Sequence, residues 1–229
     1  MIVHSLHWKI NAIIVKHVNS TALKQEPGKR TATTTERQQQ LIQATILSIA
    51  NHGLSDTTVA TVAREAGLSQ GIVNLHFQSK DRLLVETLRH VADEYKATWE
   101  KALEEAGPDH GDQLEALVYV DFNKAVFDRN KIAVWFAFWS ETKSQPTSRR
   151  LCAERDRRYD NKLRELVGAI IEEGQYVGLD PDTVTEGLSA MSAGLWLDLL
   201  VSPRSMSRQK AKRACRTWLA GLFPRHFKL

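Results

Sequence analysis

The spacing of apolar residues predicts helices along nearly the whole chain from residue 36 onward. Between Ile42 and Ile49 apolar side chains recur every three or four positions, and Gly53 interrupts the series. A second stripe with the same spacing runs from Val59 to Ala66. This recurrence is the period of an amphipathic helix, and we find no strand-like alternation. The sequence therefore predicts an all-α fold.

Helix caps and breakers divide the chain into a small and a large helical part. Ser79 caps a segment that runs without a breaker from Lys80 to about Ala106, which is roughly 40 Å of helix. Glycine, proline and asparagine turns separate the later segments. These further helices are predicted near 113–128, 130–143, 147–173, 181–201 and 207–222. We expect a polar, flexible extension at 1–35, a three-helix domain at 36–82 and a larger helical domain at 83–229.

The stretch AREAGLSQGIVNLHF, residues 63–77, contains a helix too short to hold a core by itself. Ala63 is small where two helices must approach, and Gly67 supplies a left-handed backbone conformation. Ser69 is placed to cap the second helix with its side chain. A short, exposed second helix after a sharp turn is typical of a helix-turn-helix that enters the major groove of DNA. We predict this motif at about 58–77.

Polar side chains around this motif are the candidate DNA contacts. Glutamine and asparagine can form bidentate hydrogen bonds with adenine, and a helix start can face a phosphate. A lysine at the start of the following helix is within reach of the DNA backbone. The candidates are Thr57, Thr58, Ser69, Gln70, Gly71, Ile72, Asn74, His76 and Lys80.

Charge supports a polyanionic partner. The chain has 229 residues and a net charge of +4, but residues 83–202 carry 14 basic and 22 acidic residues. Residues 1–33 carry five basic residues and one acidic residue, and residues 203–229 carry eight basic residues and none that are acidic. Basic ends suit nucleic acid, although cationic tails can also be simply solvated. Two cysteines fit a reducing cytoplasm, and we predict neither a signal peptide nor a transmembrane helix.

The motif resembles the N-terminal domain of TetR-family transcriptional regulators. The residues in register with that family are Thr58, Ala63, Ala66, Gly67, Leu68, Ser69, Phe77, Ser79 and Lys80. Many members have tyrosine at the position of Asn74, and the form GIVNLHF instead resembles BetI-type, choline-responsive repressors. Segments 133–141 and 194–200 also resemble that subfamily, and the similarity covers about 36–224. The resemblance implies a repressor that binds a near-palindromic operator as a homodimer and is released by a small-molecule inducer.

Aromatic residues in the larger part are candidates for binding that inducer. Aromatic faces attract quaternary ammonium groups, and a carboxylate can assist. Aromatic residues at helical spacing can equally be core. The candidate ligand-binding residues are Trp99, Trp135, Phe138, Trp139, Glu141 and Trp196. The subfamily resemblance suggests choline or a related cationic amine, although Ala193 stands where BetI-type proteins often have aspartate.

Small residues recur on the segment 181–201, at Gly187, Ala190 and Gly194. This stripe permits close approach of another helix. That helix could belong to the same chain or to a second copy, in which case the dimer's two recognition helices would lie roughly 34–36 Å apart. The resemblance implies a bundle formed by the last two helices of each copy.

An enzyme is not predicted. The chain has no glycine-rich phosphate loop, nucleophile elbow or metal-ligand cluster, so we expect no catalytic residues, metal or cofactor. The alternative to a ligand-responsive regulator is a constitutive or architectural dimeric DNA-binding protein without a small-molecule ligand.

Overall fold

The computed structural model describes residues 33–124, 128–141 and 146–228, and this part of the chain is helical without a strand. Residues 1–32 of the predicted extension at 1–35 therefore lie outside the described part of the chain. The all-α prediction is confirmed. The helices are α1 (Thr34–Asp56), α2 (Val59–Ala66), α3 (Gln70–Phe77), α4 (Lys80–Ala106), α5 (His110–Val120), α6 (Arg129–Glu141), α7 (Pro146–Gly174), α8 (Pro181–Val201) and α9 (Arg208–Leu222).

A reciprocal cap starts α2 after α1, and a left-handed glycine forms the turn from α2 to α3. The Thr61 backbone N–H donates to Thr58 Oγ1 at 3.1 Å, and the Thr58 N–H donates to Thr61 Oγ1 at 2.8 Å. Gly67 ends α2 at φ 65° and ψ 33°, a conformation that side chains with a Cβ resist. Val73 and Phe77 are buried and anchor α3 on its neighbours. The local sequence thus determines both the turn and the inward face of α3.

Two local predictions in this region need correction. Ser69 precedes α3 in an extended conformation, but its hydroxyl forms no capping hydrogen bond; its carbonyl accepts from the Ile72 N–H at 3.1 Å instead. Gly53 interrupts the helical backbone of α1 at φ 80° and ψ 170°, as its position predicted, yet helical hydrogen bonding resumes and α1 extends to Asp56.

The fifth helix also differs from its prediction over 113–128. Asp109 caps it, accepting from the Asp112 N–H at 2.9 Å, so α5 begins at His110. It ends at Val120, where the chain turns and Asp121 becomes buried. This early end places the Asp121 side chain among the helices rather than along the outside of α5.

The region Thr34–Leu229 forms one compact unit. Helix α1 packs extensively against α6 as well as α2, and α4 contacts α1, α3, α5, α6 and α7. Lys131 of α6 is buried and its Nζ lies 2.7 Å from Glu94 Oε1 of α4. Helices α4 and α6 therefore both connect the helix-turn-helix with the larger helical region.

By length and composition, helix α8 could cross a membrane, although the sequence predicted no such helix. Only 33% of its most apolar segment is buried within this chain. It packs against α6, α7 and α9 and contains Asp182, Glu186 and Asp198, which are costly in a bilayer. A Cβ at Gly187 would approach the Trp218 ring of α9 to 3.3 Å, so that glycine serves a contact within the chain. Ala190 and Gly194 remain exposed.

Candidate DNA-binding face and ligand cavity

The outer face of α3 collects most of the polar side chains that the sequence singled out. Ser69, Gln70, Gly71 and Asn74 are exposed. Ile72 and His76 are half-buried at the edge of this face. Because the buried Val73 and Phe77 hold the opposite side, α3 presents an exposed surface of hydrogen-bonding groups to the solvent.

Thr57 does not lie on this face. Thr57 is buried, with 1% of its surface exposed, and its hydroxyl group donates to the Gly53 carbonyl at 2.8 Å. A contact with DNA would break that buried bond, so Thr57 supports the junction between α1 and α2. Thr58 is exposed at the start of α2.

Lys80 is half-buried, and its ammonium group bridges to the end of α1. Lys80 Nζ donates to the carbonyls of Leu54 at 3.4 Å and Ser55 at 3.3 Å. These contacts hold the start of α4 against α1. Lys80 therefore has a structural role in addition to any contact with phosphate.

A cavity of about 210 Å³ lies among α4, the end of α5, α6, α7 and α8. This volume is below the usual range for drug-sized ligands and suits a small metabolite. Its walls combine aromatic rings, hydroxyl groups and carboxyl groups. The lining residues are Tyr95, Asp121, Trp139, Tyr159, Asp160, Ser189, Ser192, Ala193 and Trp196.

Asp121 is the polar centre of the cavity and is 2% exposed. Its Oδ1 accepts a hydrogen bond from the Tyr95 hydroxyl at 2.7 Å, and its Oδ2 accepts from the Tyr159 hydroxyl at 3.3 Å. The Ser192 hydroxyl also donates to Oδ2. These three hydrogen bonds fix the position of the carboxyl group in a largely apolar enclosure.

Two indole rings form the aromatic wall. The rings of Trp139 and Trp196 are stacked, with centroids 6.0 Å apart and planes 10° from parallel. The Trp196 indole N–H donates to the Asp121 carbonyl at 2.9 Å, directly after the end of α5. This bond fixes the ring beside the carboxyl group. The wall can attract a cation through the faces of its rings.

The structure brings only two of the six candidate ligand residues, Trp139 and Trp196, to the cavity wall. Trp135 and Phe138 are buried in the core, and the Trp135 ring lies 6.4 Å from that of Trp139. Trp99 packs against the core from α4, and Glu141 is half-buried at the end of α6. Trp135 supports the wall from behind, and the other three lie outside the lining.

Cys215 is a buried thiol near this centre. Burial, followed by the negative charge of Asp121, raises the pKa of Cys215 to about 12. The thiol is therefore neutral and unreactive at physiological pH. Within the described ranges, no group of three or more His, Cys, Asp or Glu residues is arranged to hold a metal ion.

Two family models match this chain, and between them they cover the helix-turn-helix and every residue of the cavity lining except Tyr95. The N-terminal model of bacterial regulatory proteins of the tetR family matches residues 41–87, and the model of the BetI-type transcriptional repressor C-terminal domain matches residues 110–224. The chain belongs to the TetR family. With this pair of domains it is a BetI-type, DNA-binding transcriptional repressor and not an enzyme.

Relatives of similar length support this assignment to the TetR family. An HTH-type transcriptional regulator BetI of Stenotrophomonas maltophilia is 34% identical over 77% of this chain and 88% of its own length. A regulator of the same name from Burkholderia thailandensis is 38% identical over 70% of this chain and 80% of its own length.

Solved structures share the TetR fold seen here. A transcriptional regulator from Pseudomonas aeruginosa superimposes with a TM-score of 0.74 at 26% identity, covering 86% of this chain and 96% of that protein. A regulator from Saccharomonospora viridis, solved in complex with choline, has a TM-score of 0.71 at 22% identity and covers 81% of this chain and 96% of that protein.

Sequence reasoning missed the carboxyl group and the hydroxyl groups of the cavity. Asp121, Tyr95 and Tyr159 are far apart in the chain, and only the packing of α4, α5 and α7 brings them together. Ala193 lies in the cavity wall, so the position at which this chain departs from many BetI-type proteins faces the cavity. The prediction of a helix over 113–128 also hid Asp121, because only the structure shows that α5 ends at Val120.

Proposed function

We propose that this TetR-family repressor is released from a near-palindromic operator when a small cationic amine, with choline as the first candidate, binds in the Asp121 cavity. The observation that carries the proposal is a buried carboxyl group beside two stacked indole rings in one small cavity. The choline complex of the Saccharomonospora viridis regulator adds a reason to test choline first.

The chemistry of the cavity favours a cation over an anion or a neutral lipid. Asp121 provides negative charge, and Asp160 provides a second carboxyl group at the edge, where the Ser189 hydroxyl donates to it at 2.8 Å. The faces of Trp139 and Trp196 attract a quaternary ammonium group by about 0.5–2 kcal/mol each. The oxygens of the Tyr95 and Tyr159 hydroxyl groups, which donate to Asp121, can accept a hydrogen bond from a polar end of the ligand. A small amine that carries a hydroxyl group fits this combination of groups.

A route from the cavity to the DNA-binding helices supports release by the ligand. Trp139 belongs to α6, and α6 packs against α1 of the helix-turn-helix region. The Lys131–Glu94 ion pair joins α6 to α4, which starts directly after α3. A ligand that binds one arrangement of α6 more tightly than another would change the position of α3 through these contacts.

At the other end of this route, we assign DNA recognition to the domain at 36–82, with α3 in the major groove. Gln70 and Asn74 would contact base edges, and Ser69, Thr58 and Lys80 would contact the backbone, while His76 and Ile72 would border the groove. Dimerisation is assigned to α8 and α9, because much of α8 is apolar and not buried within one chain. A repressor of this kind acts on the chromosome, so we place it in the cytoplasm.

A mobility-shift assay with an operator selected from random DNA tests this function. We expect a sequence-specific complex that choline, betaine aldehyde or a related amine dissociates. A complex that is indifferent to every amine would contradict the proposal and favour the constitutive DNA-binding alternative. If the folded protein bound no DNA sequence, the assignment of DNA recognition to α3 would be wrong.

A further inference from the structure

Leu75 is an apolar side chain at the centre of the outer face of α3, and it is 73% exposed. It shares this face with the exposed Gln70, Gly71, Asn74 and Gln78, which are spaced as neighbours on one side of a helix. It is not among the apolar residues that pack against the core. A single exposed leucine is ordinary on a protein surface, so its meaning depends on what surrounds it.

Gly71 is the second observation, because neither the fold nor the packing requires glycine there. A Cβ at this position would meet nothing closer than Ser69 Oγ at 3.7 Å, and the backbone is not left-handed. Glycine inside a helix is less favourable than alanine. Gly71 lies one helical turn before Leu75 on the same exposed face. The missing side chain therefore clears space for a body outside the chain that approaches beside Leu75.

The major groove offers one apolar group on the base edges, the C5-methyl group of thymine. We propose that Leu75 is a specificity-determining residue that reads a thymine by contact with this methyl group, and that Gly71 permits the close approach. The assignment rests on the proposed entry of α3 into the major groove. Since Asn74 and Leu75 are adjacent in the helix, the thymine lies within a base pair or two of the base that Asn74 contacts.

The test uses the full chain and the operator selected from random DNA. Each thymine of the half-site is replaced in turn by deoxyuridine, which lacks only the methyl group, and the dissociation constant is measured by fluorescence anisotropy. We expect one position at which uracil weakens binding about fourfold per half-site, the amount that corresponds to burial of one methyl group. Leu75→Ala should bind the thymine operator about as weakly as the parent protein binds the uracil operator. In this variant, replacing that thymine by deoxyuridine should cause no further loss of affinity.

Leu47→Ala is the matched control, because Leu47 is also exposed (40%) but belongs to α1 and not to α3. This variant should keep the full uracil penalty. Gly71→Ala should keep or raise the stability of the protein while it weakens operator binding. Unchanged operator affinity in Gly71→Ala would overturn the close approach at that position.

Uracil penalties that are the same in Leu75→Ala and in the parent protein at every position would overturn the thymine contact, even though DNA binding persists. If the folded chain selects no sequence at all, the proposed entry of α3 into DNA fails, and the assignment of Leu75 fails with it. The two failures are therefore distinguishable in one set of titrations.

Discussion

The helix-turn-helix and the ligand cavity are built by opposite means. The turn between α2 and α3 depends on groups that are close in the chain, such as Thr58 with Thr61 and the Leu68 N–H, which donates to the Ala63 carbonyl at 2.8 Å. The cavity depends on contacts between distant residues: Tyr95 and Asp121 are 26 positions apart, and Trp196 and Asp121 are 75 apart. The first region can keep its shape through local geometry, whereas the second exists only when five elements pack together.

This difference also separates their chemistry. The outer face of α3 is exposed and can adapt to a polar partner. The Asp121 carboxyl group is fixed by three hydroxyl donors and shielded from solvent. We therefore expect substitutions in the cavity to change amine binding and substitutions on α3 to change operator binding.

Asp121→Asn should have the largest effect. It removes the charge while keeping the size of the side chain, and loss of a buried charged partner typically costs about 2–5 kcal/mol. We expect amine binding to weaken by at least about thirtyfold in calorimetry, while specific operator binding persists. The control is Asp198→Asn, which removes an exposed carboxyl group on α8. This variant should bind amines with the affinity of the parent protein. Equal amine affinity in Asp121→Asn and the parent protein would place the ligand elsewhere.

Asn74→Ala should produce the complementary effect. Loss of a bidentate base contact costs about 1–3 kcal/mol and relaxes preference at one base pair. Selection of binding sites from random DNA should show this change, and calorimetry should show unchanged amine affinity. Asn51→Ala, exposed on α1, should leave sequence preference intact. A variant at Asn74 with unaltered preference would exclude this residue from base readout.

Trp139→Leu should weaken amine binding by about twofold to thirtyfold, since one ring contributes about 0.5–2 kcal/mol to attraction of a cation. Trp99→Leu provides a matched loss of an indole outside the cavity, and its amine affinity should not change once folding is verified by circular dichroism. If the Trp99 variant lost more affinity than the Trp139 variant, the aromatic wall would be misassigned.

Thr58→Ala should remove the reciprocal cap of α2 and lower the free energy of unfolding by about 1 kcal/mol. For a chain of this size, thermal unfolding should shift by about 2–4 °C. Thr35→Ala, exposed in the first turn of α1, should shift it less. A stability equal to that of the parent protein would show that Gly67 and the core alone determine the turn.

Alkaline pH should destabilise the larger region slightly through Cys215. The folded thiol has a pKa of about 12 and the ordinary value is 9.0, so the unfolded state loses its proton first as pH rises. This contribution to stability is complete below pH 9 and is lost as pH rises toward 12. In Cys215→Ala, the free energy of unfolding measured by chemical denaturation should fall less steeply between pH 9 and pH 10.5 than in the parent protein. An identical decline in both proteins would contradict the raised pKa.

The sequence could predict the helix-turn-helix because its determinants are local. Gly67, Thr58 and the spacing of buried residues imply one geometry, and the structure has it. The error at Ser69 arose because a residue type suited to capping does not fix its rotamer. For the cavity, the sequence identified Trp139 and Trp196 among the candidate aromatic residues, but helical spacing placed Trp135 on the same face as Trp139 and could not show that Trp135 faces the core. Asp121 was missed because its three hydroxyl partners come from α4, α7 and α8, and no local pattern encodes their meeting.

Control of the repressor by a cation at Asp121 can be measured by comparing the release of operator DNA by a charged ligand and by its uncharged counterpart. Fluorescence anisotropy of labelled operator can be followed while choline or 3,3-dimethyl-1-butanol, in which carbon replaces the charged nitrogen, is added to the complex. We expect choline to lower the anisotropy to that of free DNA and the neutral alcohol to have little effect at the same concentration. Equal release by both compounds, or release by neither, would contradict a repressor controlled by a cation at Asp121.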